Sequence, residues 1–337
     1  MKNSIEERLQ QEMNKKQELP QSVRIAFDQS YEQIRQQSKK VTKKSWLKPV
    51  TAAVATIALA SGVMLTNDTV LAKFQAFFGL KDPGIEIASD HGDVQYVAQS
   101  QQSENITISL EHFFADAYRY AMQLNIESDH IQMEDLYDMN VEYRLYNGQG
   151  EEIDAFVSDT KPKVGPGIFS SGEFKLGNVK KHVATLEMLI ESSTKAVPSL
   201  NGAKMVIETV NFSTKQEGII SVDGEWAFDL KPATVESQVF DAENEVAGLE
   251  LQQATLTNGS MHISLKINSN IEDENYIMDI KLLTDSAEVY YANAANVERS
   301  NDTTTIDLLF PLSIWNNQKT IMLSVNGYGK LKLVEKK

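Results

Sequence analysis

The chain has 337 residues, 42% of them apolar and 23% charged, with no cysteine and a formal net charge of −15. Length and apolar content suit two or three folded units. The missing cysteine excludes disulfides, thiolate metal sites and cysteine nucleophiles. The acidic excess argues against a nucleic-acid partner, because phosphates need a basic surface.

The charge is unevenly placed. The first 48 residues hold 11 Lys or Arg against 6 Asp or Glu, a net of +5, leaving 21 basic and 41 acidic residues, a net of −20, from Pro49 onward. Such asymmetry marks two segments working in different surroundings.

Residues 1–45 are expected to form a short helical tail. Leu19, Val23, Phe27, Tyr31 and Ile34 recur at steps of four, four, four and three, a helical stripe, and Pro20 suits a first turn. Ile5, Leu9 and Met13 make a shorter stripe upstream. Two such helices bury little between them. The stripe reads either as part of a marginal leader, as a partner-binding face completed by a cytoplasmic protein, or as a surface lying on the inner leaflet.

Residues 46–66 are expected to cross a membrane. Pro49 to Leu65 is 17 residues without charge, and with Trp46, Leu47 and Lys48 it reaches 20, which as a helix matches a hydrocarbon core of about 30 Å. Trp46 suits the interface, and Lys39, Lys40, Lys43, Lys44 and Lys48 precede the segment, which puts the N-terminus in the cytoplasm and the bulk outside. A buried soluble helix and a cleaved signal, with Val70-Leu71-Ala72 as the cleavage stretch, are the alternatives. The 45 residues ahead of the apolar run favour a retained single-pass anchor.

Residues 67–84 read as a hinge with a short apolar helix over 70–84, its Phe74, Phe77 and Phe78 packed on the next domain or the outer leaflet. Beyond residue 85 the period falls from 3.6 to 2. Ile106, Ile108 and Leu110 alternate with polar neighbours, and Tyr118, Tyr120, Met122, Leu124 and Ile126 share one expected face. Val141, Tyr143 and Leu145 lead to Asn147-Gly148, a hairpin dipeptide. Residues 178–191 fit strand or short helix, and "VGPGIFSSGEF" reads as a loop. Trp226, Phe228 and Leu230 look like a closing strand before Pro232. About a dozen strands with turns between them predict a mainly β fold, two extracellular antiparallel immunoglobulin-like β-sandwich domains over 85–232 and 233–337.

Catalytic and phosphate-binding spacings are missing: there is no G-x-S-x-G, G-x-x-x-x-G-K-[ST], H-E-x-x-H or G-x-G-x-x-G. His91, His112, His130, His182 and His262 are dispersed and read as surface or turn residues. Glu272, Asp273 and Glu274 lack the glycine-punctuated calcium pattern and read as a solvated loop. No catalytic residue, cofactor or metal is expected, and the chain reads as non-enzymatic.

The stretches "ELPQSVRIAFDQSYEQIRQQ" and "FQAFFGLKDPGIEIASDHGDVQYVAQSQQSENITISLEHFFADAYRYAMQLNIES", with Phe-Phe-Gly ahead of the first strand and "GEWAFDL" at 224–230 as its closing strand, resemble bacterial membrane proteins of the domain-of-unknown-function family 4179. The resemblance covers residues 50 to about 232, and 233–337 look like a second β domain found behind it. Some members are called negative effectors or anti-sigma factors of extracytoplasmic-function sigma factors. The resemblance therefore implies an envelope regulator, anchored in the lipid bilayer, whose tail holds a cytoplasmic sigma factor while the exterior meets an unidentified ligand. The tail departs from zinc-containing anti-sigma factors in having no Cys. The competing expectation is a surface-displayed binding or structural module with an inert leader.

Overall fold

The computed structural model describes residues 82–169 and 171–336. The tail with its stripe, the 46–66 segment and Phe74, Phe77 and Phe78 all lie outside the described residues. Among the described residues no helix is long and apolar enough to cross a membrane.

The fold is mainly β, with all paired strands antiparallel. It opens on helix α1, Pro83–Asp90. Proline fixes φ for a first helical turn, and Asp82 caps the helix by accepting from the Ile85 N–H at 2.9 Å. The helix or hinge expected over 70–84 lies outside the described residues up to position 81, and its closing Pro83-Gly84 opens α1. Ile85 and Ala88, one helical step apart, are its buried stripe.

A five-stranded sheet follows, with β1 (Gln95–Ser103), β2 (Ile106–Ala115), β3 (Arg119–Ser128), β7 (Val183–Glu191) and β6 (Ser171–Lys180) in that spatial order. A four-stranded sheet holds β5 (Glu152–Phe156), β4 (Leu136–Tyr146), β8 (Lys204–Thr214) and β9 (Gly218–Asp229). Their inner faces share one core that includes Leu110, Leu124, Tyr143, Leu186, Ile207 and Trp226. Trp226 is fully buried, and its indole donates to the Ile106 carbonyl at 3.0 Å.

The segment 178–191 resolves as the end of β6, a tight turn and β7, with no helix. The "SGEF" end of the expected loop, from Ser171, is strand, while the backbone N–H groups of Val164 and Gly165 both donate to Glu152 Oε1. The Asn147-Gly148 turn is wider than a two-residue hairpin. Asn147 Oδ1 accepts from the Gln149 and Glu151 N–H groups, and Gly150 takes the positive φ of 82°. An asparagine that folds the chain by its side chain does not need glycine next to it.

The second core gathers β10 (Ser237–Ala242), β11 (Leu249–Thr257), β12 (Met261–Ile267), β13 (Lys281–Thr284), β14 (Val289–Tyr291), β15 (Ala294–Arg299), β16 (Thr304–Phe310), β17 (Thr320–Val325) and β18 (Gly329–Glu335). The short helix α2, Glu274–Met278, is capped by Asp273, which accepts from the Asn275 N–H at 2.9 Å. Strands are more numerous than the expected dozen because short edge strands such as β14 carry too few residues to show alternation.

Candidate functional site

Asp82 stands at the start of α1, and β2 turns into β3 through Asp116. These two carboxylates, with Glu191 at the end of β7, surround one guanidinium, Arg119. All four residues are buried. Burying charge is expensive unless it is paired and hydrogen-bonded, and here the pairing is dense. Arg119 grips Asp82 with both terminal nitrogens, Nη1 to Oδ2 at 2.6 Å and Nη2 to Oδ1 at 2.9 Å. Nη1 also reaches Glu191 Oε1 at 3.4 Å, and Nη2 donates to the Gly259 carbonyl.

Asp116 works in two directions. Its Oδ1 accepts the Tyr118 and Arg119 N–H groups at 2.8 and 3.0 Å, which folds its own turn. Its Oδ2 accepts from Thr257 Oγ1 at 2.9 Å, Ser260 Oγ at 2.8 Å and the Gly259 N–H at 3.2 Å. The β11–β12 turn of the second core is therefore hydrogen-bonded to a carboxylate of the first. Asn293 completes the crossing by donating to Asp82 Oδ2 at 2.7 Å.

Sterics match the charges. A methyl group built on Gly84 would lie 2.0 Å from the Gly259 carbonyl oxygen, and one on Gly259 would lie 2.6 Å from Phe114 Cζ. Only a bare backbone fits at either place.

Aromatic contacts flank the hub. Tyr118 stacks on His262 with ring centres 4.5 Å apart, and His262 Nε2 meets the Ser193 carbonyl at 2.9 Å. A carbonyl only accepts, so Nε2 carries the proton, and the buried Nδ1 has no hydrogen-bond partner among the described residues. Trp315 donates to Asp93 Oδ2 at 2.6 Å and stacks on His91. A groove of about 450 Å³ flanks the seam between residues 197–201 and 232–235.

Burial opposes the Arg119 charge, but Asp82, Asp116 and Glu191 outweigh it and hold the guanidinium above its usual range. Glu191 is pushed up: burial dominates the attraction of Arg119, and the neighbouring Asp82 and Asp116 add to the rise. The two directions are compatible, because Asp82 already holds the guanidinium bidentately and Glu191 sits at its margin. Burial also lowers His262, against the hydrogen bond to Ser193.

The partner-binding stripe expected from sequence, Leu19, Val23, Phe27, Tyr31 and Ile34, lies outside the described residues. Of the five histidines, His262 departs from the surface reading, being 1% exposed. Tyr118 departs from its expected face. It packs with Ala294 and Leu309, while Tyr120, Met122, Leu124 and Ile126 enter the first core. Sequence reading missed the hub itself. Its available signals were Asp82-Pro83, an N-cap pair, and an Asp116–Arg119 spacing inside an aromatic run. Glu272 and Asp273 lie in exposed backbone, and among the described residues no group of three or more His, Asp or Glu is arranged to hold a metal ion.

No curated protein matches this chain. A solved structure described as "The crystal structure of the conserved domain protein from Bacillus anthracis" aligns over 69% of this chain and 80% of its own, at 12% identity and a TM-score of 0.41, too loose a likeness to transfer anything. Residues 41–128, which run from the lysine-rich border through the apolar segment, α1 and the Asp116–Arg119 turn, match the family model described as Domain of unknown function (DUF4179). The likeness to the DUF4179 family is thus one of residues 41–128.

Proposed function

We propose that this chain is a single-pass, membrane-anchored regulator of the bacterial cell envelope. Its basic tail holds a cytoplasmic extracytoplasmic-function sigma factor, and its immunoglobulin-like β bodies stand outside the cell, where they receive a signal. The observation that carries the reading is the place of Asp82. It lies 17 residues after Leu65, the end of the apolar run, and Arg119 and Asn293 tie it to both β bodies. A load or rearrangement in either β body thus reaches Asp82 through a fixed joint. The charge step around Lys48 supports the topology, and the family match supports the kinship of the anchor and the first sheet.

The mechanism is sequestration at the membrane, relieved by a signal or by cleavage in 66–84. The proposal gives the chain no catalytic role. The tail is tested by capture of the sigma factor on tagged full-length chain. Phe27→Asp puts a charge into the apolar stripe, which costs several kcal/mol once buried, and recovery should fall by at least about tenfold. Undiminished recovery with that variant rejects the sequestration role and leaves the surface-module reading. Protease added to intact cells should degrade the β part, and its survival would reject the topology.

A further inference from the structure

β10 starts in one sheet of the second core and finishes in the other. Ser237–Val239 pair with Thr255–Thr257 of β11, whereas Phe240–Ala242 pair with Leu333–Glu335 of β18. By crossing over, β10 leaves β11 without a neighbouring strand on that side from Glu250 to Ala254 among the described residues, while the Leu249 N–H is taken by the Val246 carbonyl at 3.0 Å. A groove of about 740 Å³ opens between this free edge and the departing half of β10.

Phe240, Leu249 and Leu251 give the groove an apolar floor, the latter two half-buried. The loop 244–248 closes one end, where Gly248 lies against the Tyr328 ring. The rim is acidic. Asp241 is engaged by Lys336 at 3.3 Å, but Glu245 and Glu250 have no ion-pair partner among the described residues. Proteins ordinarily blunt a free sheet edge with lysine or proline. This edge carries Glu250, Gln252 and Gln253 instead.

We propose that this groove binds an extended peptide in which apolar residues alternate with Lys or Arg, added as a further strand to the free edge of β11. Backbone hydrogen bonds to residues 250–254 supply the ladder, and the alternation of a strand separates two sets of side chains. One set descends onto Leu249 and Leu251, while the other meets Glu245 and Glu250. The five-residue edge is about 17 Å long at roughly 3.3 Å per residue, room for a peptide of that length. Thr257, at the far end of β11, bonds Asp116 in the seam, and Gln253 donates to the Tyr118 hydroxyl at 3.1 Å, so one end of the ligand would approach the seam. The inference goes beyond the tail's proposed role, and its failure would leave the sigma-factor capture unaffected.

The test titrates full-length chain into a labelled, end-blocked peptide, Lys-Val-Thr-Val-Lys-Val-Thr, and reads anisotropy. Glu245→Lys with Glu250→Lys should weaken binding by at least about tenfold through charge reversal. Glu217→Lys, an exposed turn position in the first β body, should change it by less than about twofold. Replacing the central valine of the peptide with proline removes a ladder donor and should weaken binding comparably. No measurable binding, equal binding of the peptide with Glu in place of Lys, wild-type affinity in the double variant, or indifference to the proline would each overturn the proposal.

Discussion

Removing the Arg119 guanidinium would strand three buried carboxylates, and that sets the scale of its effect. Asp82 would lose the two nitrogens that grip it, and Glu191 its contact with Arg119. Breaking a buried pair by taking one partner costs about 3–5 kcal/mol, far more than the net worth of the pair. Arg119→Met, which keeps the apolar stem, is therefore expected to lower unfolding free energy by about that amount in denaturant titrations; a loss under about 1 kcal/mol would mean that the hub is solvated. His262 acts in the opposite chemical sense, since its problem is gaining a charge. Burial lowers its folded pKa. Below the ordinary value of about 6.5 the unfolded imidazole takes a proton that the folded one refuses, so stability present above that pH is lost as pH falls. Burial lowers His112 too, in the same sense. Glu191, pushed up, works against them: its folded form keeps a proton that the unfolded carboxyl releases above about 4.5, so its share of stability falls as pH rises through that window. His262→Gln keeps an N–H for the Ser193 carbonyl but does not titrate. Denaturant midpoints at about pH 7.5 and 5.5 should differ less in this variant than in wild type, and an equal difference would remove His262 from the pH response.

At the scale of elements, alternation in sequence reads a strand as having one buried face, and that is where legibility ends. Ile106, Ile108 and Leu110 were readable and are buried as expected. β3 was readable only in part. Its second face is also buried, because α1 lays Ile85 and Ala88 over Ala121, Phe114 and Leu189. The covering helix is remote in sequence, so nothing local announces it. The crossing of β10 was hidden for the same reason: three residues for each sheet are too few to carry a period. The bulge in β1 is another tertiary event. Ala98 holds φ at 49° between the pairs Tyr96–His112 and Gln99–Leu110. That turn of the backbone aims Gln99 at β9, where its amide donates to the Asp229 carbonyl at 2.8 Å and accepts the Asp229 N–H at 3.0 Å. The clamp joins the edges of the two sheets, and it rests on an alanine in a conformation that costs a non-glycine residue about 1–3 kcal/mol. Glycine enters that region freely but loses about 0.5–1 kcal/mol of chain entropy. Ala98→Gly should therefore raise stability by roughly 0.5–1 kcal/mol, seen as a higher denaturant midpoint; a lower midpoint would show that the methyl group contributes packing that outweighs its strain.

For the molecule as a whole, the consequential fact is that two separately filled cores meet through a seam of polar groups. A nonpolar seam would tolerate sliding, since dispersion has little direction. This one is specified by hydrogen bonds that converge on Asp116 and Arg119 from both sides, so a small displacement breaks several together. Contact is set by Gly84 and Gly259, whose backbones touch where any side chain would collide. Gly84→Ala places its methyl 2.0 Å from the Gly259 oxygen and 2.6 Å from Arg119 Nη2. The backbone oxygen cannot rotate away, so α1 must lift from the seam, at a cost of about 1–3 kcal/mol typical of overpacking. The loss should be local before it is global. In hydrogen exchange of the full chain, the amides of Tyr118, Arg119 and Gly259, all donors to Asp116, should exchange faster in Gly84→Ala. The amides of β17 and β18, which pair with each other, should keep their protection. Unchanged exchange at the three seam amides would mean that α1 can shift without disturbing Arg119, and the fixed joint between α1 and the two cores would then not exist.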